Sequence, residues 1–165
     1  MKGFFTLLLV SVFSMPLAFA QAVNDDDITN RVNQAIINND NFSSSDVLVV
    51  SINGYVMLAG QVLSDDLKQE ASVTAAFASM HIRRLINELE VVDALDTSFA
   101  DSDQAILNQI IEVIPELSPA TMPVIHNGVV HLMGQVTRDK GSEVANTISR
   151  MDGVKNIRIS YEYIQ

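Results

Sequence analysis

The chain has 165 residues, with no cysteine and with 20 acidic residues against 10 basic ones, for a net charge of −10. The lack of cysteine rules out disulfides, thiolate nucleophiles and thiolate-bound metals. The acidic balance argues against nucleic acid as a partner, because phosphate binding needs a basic surface. The length suits one ordinary domain or two small ones.

The first twenty residues have the layout of a secretory signal peptide. Lys2 precedes the apolar run 4–10, and Pro16 is followed by the small-residue pattern Ala18-Phe19-Ala20. This layout predicts cleavage after Ala20 and a periplasmic protein. The alternative is a retained membrane anchor, although Pro16 interrupts a stretch shorter than the ~20 residues that span a bilayer. Without a cysteine after the cut, we do not expect a lipoprotein.

An internal repeat defines the organisation of the rest of the chain. Residues 53–62 and 127–136 align at a constant offset of 74, and seven of the ten pairs are identical. A repeat of this length indicates a duplicated domain. We therefore expect one domain at 24–92, a linker at 93–100 and a second domain at 101–165. The first domain holds ten acids and four bases, whereas the second holds eight acids and five bases.

Both copies have the same predicted order of elements. In the first, acidic residues at 25–27 begin a helix, and β-branched runs at 47–52 and 55–62 flank Asn53-Gly54, the turn pair typical of a β-hairpin. A second helix runs from Ser64 to about Met80, and alternation at 85–91 predicts a third strand.

In the second copy, Asp101 and Asp103 are predicted to cap a helix that reaches Ile114 and stops at Pro115. Strands at 122–126 and 129–136, a helix at 138–151 and a strand at 157–163 follow. The predicted fold class is therefore α+β, with two tandem αββαβ domains, each a three-stranded mixed sheet with two helices on one face.

The hairpin turns also fix which side chains share a face of each sheet. Ser51 should lie opposite Val56, and Ile125 opposite Val130, which puts the shared apolar positions on the helix side. The other face of the first sheet is also apolar and includes Tyr55 and Met57. The second domain is the expected cover, and a protein or lipid partner is the alternative. Gly60 and Gly134 predict that another part of the chain approaches the second strand of each hairpin closely, and we expect the following helix to pack there.

Catalytic and metal-binding patterns are missing from the sequence. His126 and His131 fall on one face of the second hairpin, but no third ligand accompanies them at a zinc-site spacing, so we expect exposed sheet histidines. No nucleophile elbow, phosphate loop or dinucleotide fingerprint occurs. The sequence therefore predicts a protein that is not an enzyme and that has no cofactor and no metal.

The repeated block Asn-Gly-x-Val-x-Leu-x-Gly-Gln-Val, in an αββαβ frame after a signal peptide, resembles the BON domain family. The resemblance covers both copies. It implies a non-catalytic role in envelope integrity or osmotic stress, through binding of phospholipid or envelope proteins. The first copy departs from the family at 81–85, where it has no closing glycine. The positions that carry the signature are Asn53, Gly54, Gly60, Asn127, Gly128, Gly134 and Gly153.

The resemblance also implies a contact element for lipid, namely the first helix of the second domain. The matching segment is 103–114. Its apolar stripe is wider than one buried face needs, so some members are expected to contact lipid or a partner while the others pack in the core. The candidates are Ile106, Leu107, Ile110, Ile111 and Ile114. The competing function is a periplasmic chaperone or adaptor that binds envelope proteins through Tyr55 and Met57.

Overall fold

The structure, a computed structural model, describes residues 24–114 and 121–165. The predicted signal peptide and the predicted helix stop at Pro115 lie outside the described residues. Within the described ranges, four α-helices and two mixed sheets form an α+β fold. The predicted fold class is confirmed at this level.

The two halves of the chain share one order of elements. The first half contains α1 (Asp25–Ile37), a short 3-10 helix (Asp40–Phe42), β1 (Asp46–Ile52), β2 (Tyr55–Val62), α2 (Asp65–Ala78), β3 (Arg84–Asn87) and β4 (Glu90–Val91). The second half contains α3 (Ala100–Val113), β5 (Thr121–His126), β6 (Val129–Thr137), α4 (Arg138–Ile148) and β7 (Asn156–Ile164). In each sheet the middle strand is antiparallel to the strand before it and parallel to the strand after the helix.

The hairpin turns and their register agree with the sequence prediction. Ser51 pairs with Val56, and Ile125 pairs with Val130. Both turn residues have positive φ in each hairpin, at 53° and 75° in the first and at 50° and 73° in the second. These values are those of a type I′ turn, which matches the twist of the flanking strands.

The third strand of the first sheet is not continuous, so the predicted three-stranded sheet has four strands there. β3 ends at Asn87, whose side-chain amide donates to the Lys68 carbonyl and the Ser72 hydroxyl of α2, both at 2.7 Å. The Asn87 side-chain oxygen also accepts from the backbone N–H of Leu89. These local bonds compete with the ladder and separate β3 from β4.

Asp25 ties the first helix to the first hairpin turn. Its carboxylate accepts hydrogen bonds from the backbone N–H groups of Asn53 (2.7 Å) and Gly54 (2.8 Å) and from the Ser51 hydroxyl (2.7 Å). The cap of α1 is Asn24, whose side chain accepts from the N–H of Asp26. The Asp25 carboxylate thus accepts hydrogen bonds from two backbone N–H groups of the turn that would otherwise bond only to solvent.

Asp103 makes the same connection in the second half. Its carboxylate accepts from the N–H groups of Asn127 (2.7 Å) and Gly128 (2.8 Å). The prediction that Asp101 and Asp103 cap this helix is therefore wrong. The N-cap residue is Phe99, which makes no side-chain cap bond, and Asp103 lies within the helix and points at the turn.

Gly60 marks a close approach, but not to the helix that follows it. Its φ is +117°, and a Cβ at this position would lie 2.0 Å from the Asp46 carbonyl oxygen on β1. Gly134 has the matching φ of +123° in the second sheet. The expectation of a tightly packed following helix at Gly60 is corrected, because the neighbouring strand fills this space.

Each half has its own apolar core between its helices and its sheet. Ile28 and Val32 of α1 meet Ala71 and Ala75 of α2 over Leu58 in the first core. The second core is formed by residues of α3, α4 and the second sheet: Ile106, Ile110, Val130, Leu132, Val136, Val144, Ile148 and Tyr161.

A third apolar cluster joins the two halves. It consists of the sheet faces that the helices leave uncovered, and its buried members are Ile52, Met57, Ala59, Val124 and Met133. The apolar outer face of the first sheet is therefore covered by the second half of the same chain. The resulting order of layers is helices, sheet, sheet, helices.

Candidate functional site

The two sheet histidines lie in the contact between the halves, and the expectation that they are exposed is wrong. His126 is 8% exposed and His131 is 3% exposed, because the first sheet covers the face that carries them. His126 Nε2 lies 3.2 Å from Asp46 Oδ2, and the Phe99 ring stands edge-on to the imidazole at 4.8 Å between centroids. These contacts tie the linker and β1 to the second hairpin.

This histidine pair does not form a metal centre in the described part of the chain. No three histidine, aspartate or glutamate side chains there come together at metal-binding distances. His131 Nδ1 is buried without a hydrogen-bond partner among the described residues. Burial lowers the pKa of His131 below its ordinary value of 6.5, while the nearby Glu88 carboxylate acts in the opposite direction.

The depressed pKa of His131 predicts lower stability in acid. His131 has a lowered pKa in the folded protein and its ordinary pKa in the unfolded chain. At a pH between these two values, the unfolded chain holds the proton more tightly than the folded protein does. The contribution to stability is therefore complete above about pH 6.5 and declines as the pH falls below that value. We expect the urea midpoint to drop less between pH 7.5 and pH 5.0 in His131→Gln than in the wild type. An equal drop in both proteins would assign the acid sensitivity to other groups.

A cleft of about 260 Å³ opens beside the contact between the two halves. It lies between α3 and the edge strands β1 and β5. Its wall is mostly apolar and is built by both halves of the chain. The first half contributes Leu48 and Val50 of β1; the second contributes Ala100, Asp103, Gln104 and Leu107 of α3 and Met122, Pro123, Val124 and Ile125 of β5. The cleft therefore exists only while the two halves are packed together.

The electrostatics of the cleft suit an uncharged ligand. No lysine, arginine or histidine belongs to its lining residues. Its one carboxylate, on Asp103, already accepts two backbone hydrogen bonds from the hairpin turn. Leu48 and Met122 are exposed at the opening. The arrangement can take up hydrocarbon, and it offers neither a nucleophile nor an acid–base pair.

The predicted contact residues of α3 separate into two groups. Ile106 and Ile110 are buried in the second core, and Ile114 packs against that core while partly exposed. Ile106 and Ile110 are not available as a contact surface, which corrects the prediction for these two residues, while contact by Ile114 stays a prediction. Leu107 lines the cleft, and Ile111, one turn further along the same edge, is 56% exposed.

The predicted contact residues of the first sheet are largely covered. Met57 is buried in the cluster between the halves, and Tyr55 is half-buried at its margin. The Arg83 guanidinium lies 5.2 Å from the centre of the Tyr55 ring. The outer face of the first sheet is thus not free to bind an envelope protein, and the chaperone hypothesis loses the surface on which it rested.

Sequence reasoning missed an exposed apolar ridge on α2 and the loop after it. Phe77 is 88% exposed and Met80 is 92% exposed, and Val73 lies one turn before Phe77. For Val73 and Phe77 the signal was available in the helical spacing, because Ala71 and Ala75 define the buried stripe of α2 and leave these two side chains on the opposite side. The ridge lies on the helix layer of the first half, away from the cleft.

Comparison with known proteins identifies the family. The family model described as BON domain matches residues 24–93. Osmotically-inducible protein Y of Escherichia coli is 30% identical over 145 residues, which cover 82% of this chain and 71% of that protein. The chain belongs to the BON domain family. The resemblance stated from the repeated Asn-Gly block is confirmed.

Other similarities extend over most of the chain. The outer membrane lipoprotein DolP of Haemophilus influenzae is 26% identical over 154 residues, covering 90% of this BON protein and 79% of that one. Among solved structures, the C-terminal domain of CdsD, a structural protein of the type III secretion system of Chlamydia trachomatis, aligns with 87% of this chain and 68% of its own. Its identity is 11% and its TM-score is 0.35. In the parts of the chain that the structure describes, no helix is both long and apolar enough to cross a membrane.

Proposed function

We propose that this BON protein is a non-catalytic periplasmic protein of envelope maintenance that binds phospholipid membrane surfaces. In this proposal residues 1–20 are a cleaved signal peptide, and residues 24–92 and 101–165 are two BON modules joined by a linker at 93–100. The second module is supported by the shared order of elements and by the carboxylate that binds each hairpin turn. The relatives' names associate the family with the outer membrane and with osmotic induction.

The observation that carries the lipid proposal is the free edge of α3. Leu107 and Ile111 lie one helical turn apart on this edge, beside a cleft with an apolar wall. Full burial of an exposed isoleucine side chain such as Ile111 in hydrocarbon gains about 1.5–3 kcal/mol, and the half-buried Leu107 adds a smaller gain, which together support weak, reversible attachment. An acyl chain that enters the cleft would add to this contact.

Charge predicts which membranes this edge prefers. The chain carries a net charge of −10, and no cation lines the cleft. An anionic surface repels such a protein, and salt screens this repulsion. Binding should therefore be stronger on zwitterionic vesicles than on anionic ones at low salt, and the difference should shrink at physiological salt.

Vesicle co-sedimentation of the purified protein tests the proposal. Leu107→Asp and Ile111→Asp should each weaken binding to zwitterionic vesicles by roughly tenfold, because each places a charge in the hydrocarbon contact. Phe77→Asp is the matched control, since it makes the same change at an exposed apolar residue on the other helix layer, and it should bind like the wild type. Absence of wild-type binding, or equal losses in all three variants, would contradict the α3 edge as the contact.

A further inference from the structure

The last strand, β7, has a free edge nine residues long. The second sheet has the order β5-β6-β7, and no other strand of the described residues pairs with the outer side of β7. Ile159, Tyr163 and Ile164 are exposed along it. The strand contains neither proline nor lysine between 156 and 164. A long edge strand without these residues, whose two charged side chains, Arg158 and Glu162, have opposite sign, is a template for pairing with another strand.

Two of the other three edges in the described sheets carry features that discourage pairing. β5, at the opposite edge of the second sheet, contains Pro123, which has no N–H to donate. The outer side of the first sheet is divided into the short strands β3 and β4. β1, at the other edge of the first sheet, is seven residues long and has neither proline nor lysine, but its Leu48 and Val50 line the cleft against α3 of the second half. β7 has nine residues, is longer than the strand at any other edge and has no interruption, so its edge is the one best prepared for a partner.

The backbone of β7 alternates between β6 and the free edge. The backbone N–H of Ile157 donates a hydrogen bond of 2.8 Å to the side-chain oxygen of Asn156. This bond indicates that the backbone N–H of Ile157 points away from β6. By the two-residue period of a strand, Ile159, Tyr161 and Tyr163 also present their backbone groups to the edge. A strand added here would form its hydrogen bonds with these four residues.

The sequence of β7 is complementary to itself when one copy is reversed. If two copies meet antiparallel with Ser160 opposite Ser160, all nine residues pair. Ile157 then faces Tyr163 and Ile159 faces Tyr161, which are the residues whose backbone groups point to the edge. Arg158 of one copy faces Glu162 of the other in a non-hydrogen-bonded pair, where opposite side chains lie closest. Opposite charges in such a pair are favourable.

Neighbouring registers lose this match. Centring the pair on 158 puts Arg158 opposite Arg158, and centring it on 162 puts Glu162 opposite Glu162. Like charges directly opposite one another destabilise a strand pair. Centring it on 159 or 161 shortens the overlap and leaves both charges without an opposite partner. The charge pattern therefore selects the register centred on Ser160.

We propose that two copies of this protein associate through their β7 edges, antiparallel about Ser160, and form one continuous six-stranded sheet. The partner is a second copy because the edge matches itself in backbone direction, apolar pairs and charge at once. This surface is separate from the α3 edge, so association and lipid binding are independent properties.

Cysteine cross-linking tests the register directly, because the chain has no cysteine of its own. In the proposed pair the two Ser160 Cα atoms lie about 4.5 Å apart, within the range that a disulfide spans. With oxidised glutathione, Ser160→Cys should form a covalent dimer at least tenfold faster than Ser142→Cys, an exposed position on α4. Similar rates at both positions would overturn the proposal.

Two further single-cysteine variants check the antiparallel arrangement. Ile164→Cys alone should not cross-link, because its two copies would lie about 27 Å apart. An equal mixture of Asn156→Cys and Ile164→Cys should give the mixed dimer, because these positions face one another. Efficient cross-linking of Ile164→Cys with itself would contradict the register.

Charge reversal tests the association without a covalent bond. In sedimentation velocity, Arg158→Glu or Glu162→Arg should raise the dimer dissociation constant at least tenfold, and the double variant should restore association. Within its own chain Arg158 bonds Glu88, and Glu162 accepts a hydrogen bond from Gln135 Nε2 at 2.6 Å. Glu88→Gln and Gln135→Ala are therefore the controls, and both should associate like the wild type. A wild type that sediments as a monomer up to about 100 μM would overturn the proposal.

Discussion

Gly60→Ala is expected to lower the free energy of unfolding by about 3 kcal/mol or more. The new Cβ would lie 2.0 Å from the Asp46 carbonyl oxygen, and the backbone would keep a φ of +117° that side chains disfavour. Relief would require β1 and β2 to move apart within the paired ladder. Urea unfolding followed by far-ultraviolet circular dichroism measures the loss.

Gly54→Ala is the control for this prediction. Gly54 also has a positive φ, of +75°, but its nearest atoms would be 3.1 Å away, and they include the flexible Arg83 side chain. The left-handed conformation costs a non-glycine residue about 1–2 kcal/mol. A loss for Gly60→Ala no larger than that for Gly54→Ala would mean that β1 and β2 have room for a side chain at Gly60.

Met57→Asp is expected to separate the two halves and to destabilise the protein by about 3–5 kcal/mol. The Met57 side chain is buried in the cluster between the sheets, where a carboxylate would find no partner. Urea unfolding measures the destabilisation, and a larger radius of gyration by small-angle X-ray scattering would report the separation.

Met80→Asp makes the same substitution at a methionine that is 92% exposed. It should change the free energy of unfolding by less than about 0.5 kcal/mol and leave the radius of gyration unchanged. If Met57→Asp had the same free energy of unfolding and the same radius of gyration as Met80→Asp, the two sheets could not be packed on each other at Met57.

Local sequence signals predicted the hairpins well. Asn53-Gly54 and Asn127-Gly128 determine a turn with two positive φ values, and this turn fixes the register and therefore the faces of each sheet. The repeat also pointed to the family. These features depend on residues close together in the chain, which is why a single sequence sufficed.

Features that depend on distant residues were predicted less well. Asp103 looked like a helix cap because its neighbours in sequence are helical, but its partners are the turn amides 24 and 25 residues away. His126 and His131 were expected at the surface because the sequence does not say which sheet covers them. Only the packing of the two halves determines that burial.

The candidate site shows the same limit. Helical spacing correctly indicated that the stripe on α3 is wider than a buried face, but it did not say which members are free. Ile106 and Ile110 point at the second core, whereas Leu107 lines the cleft and Ile111 is exposed one turn further along the helix. Phe77 was missed because the family resemblance implied a contact element only at 103–114.

An NMR titration of the isotope-labelled protein with zwitterionic phospholipid micelles tests the lipid proposal most directly. We expect shifts or line broadening in α3 at 103–114 and at Leu48 and Met122, with the amides of α2 unchanged. No perturbation, or perturbation confined to the ridge of Val73, Phe77 and Met80, would contradict the proposal that the α3 edge and its cleft bind phospholipid.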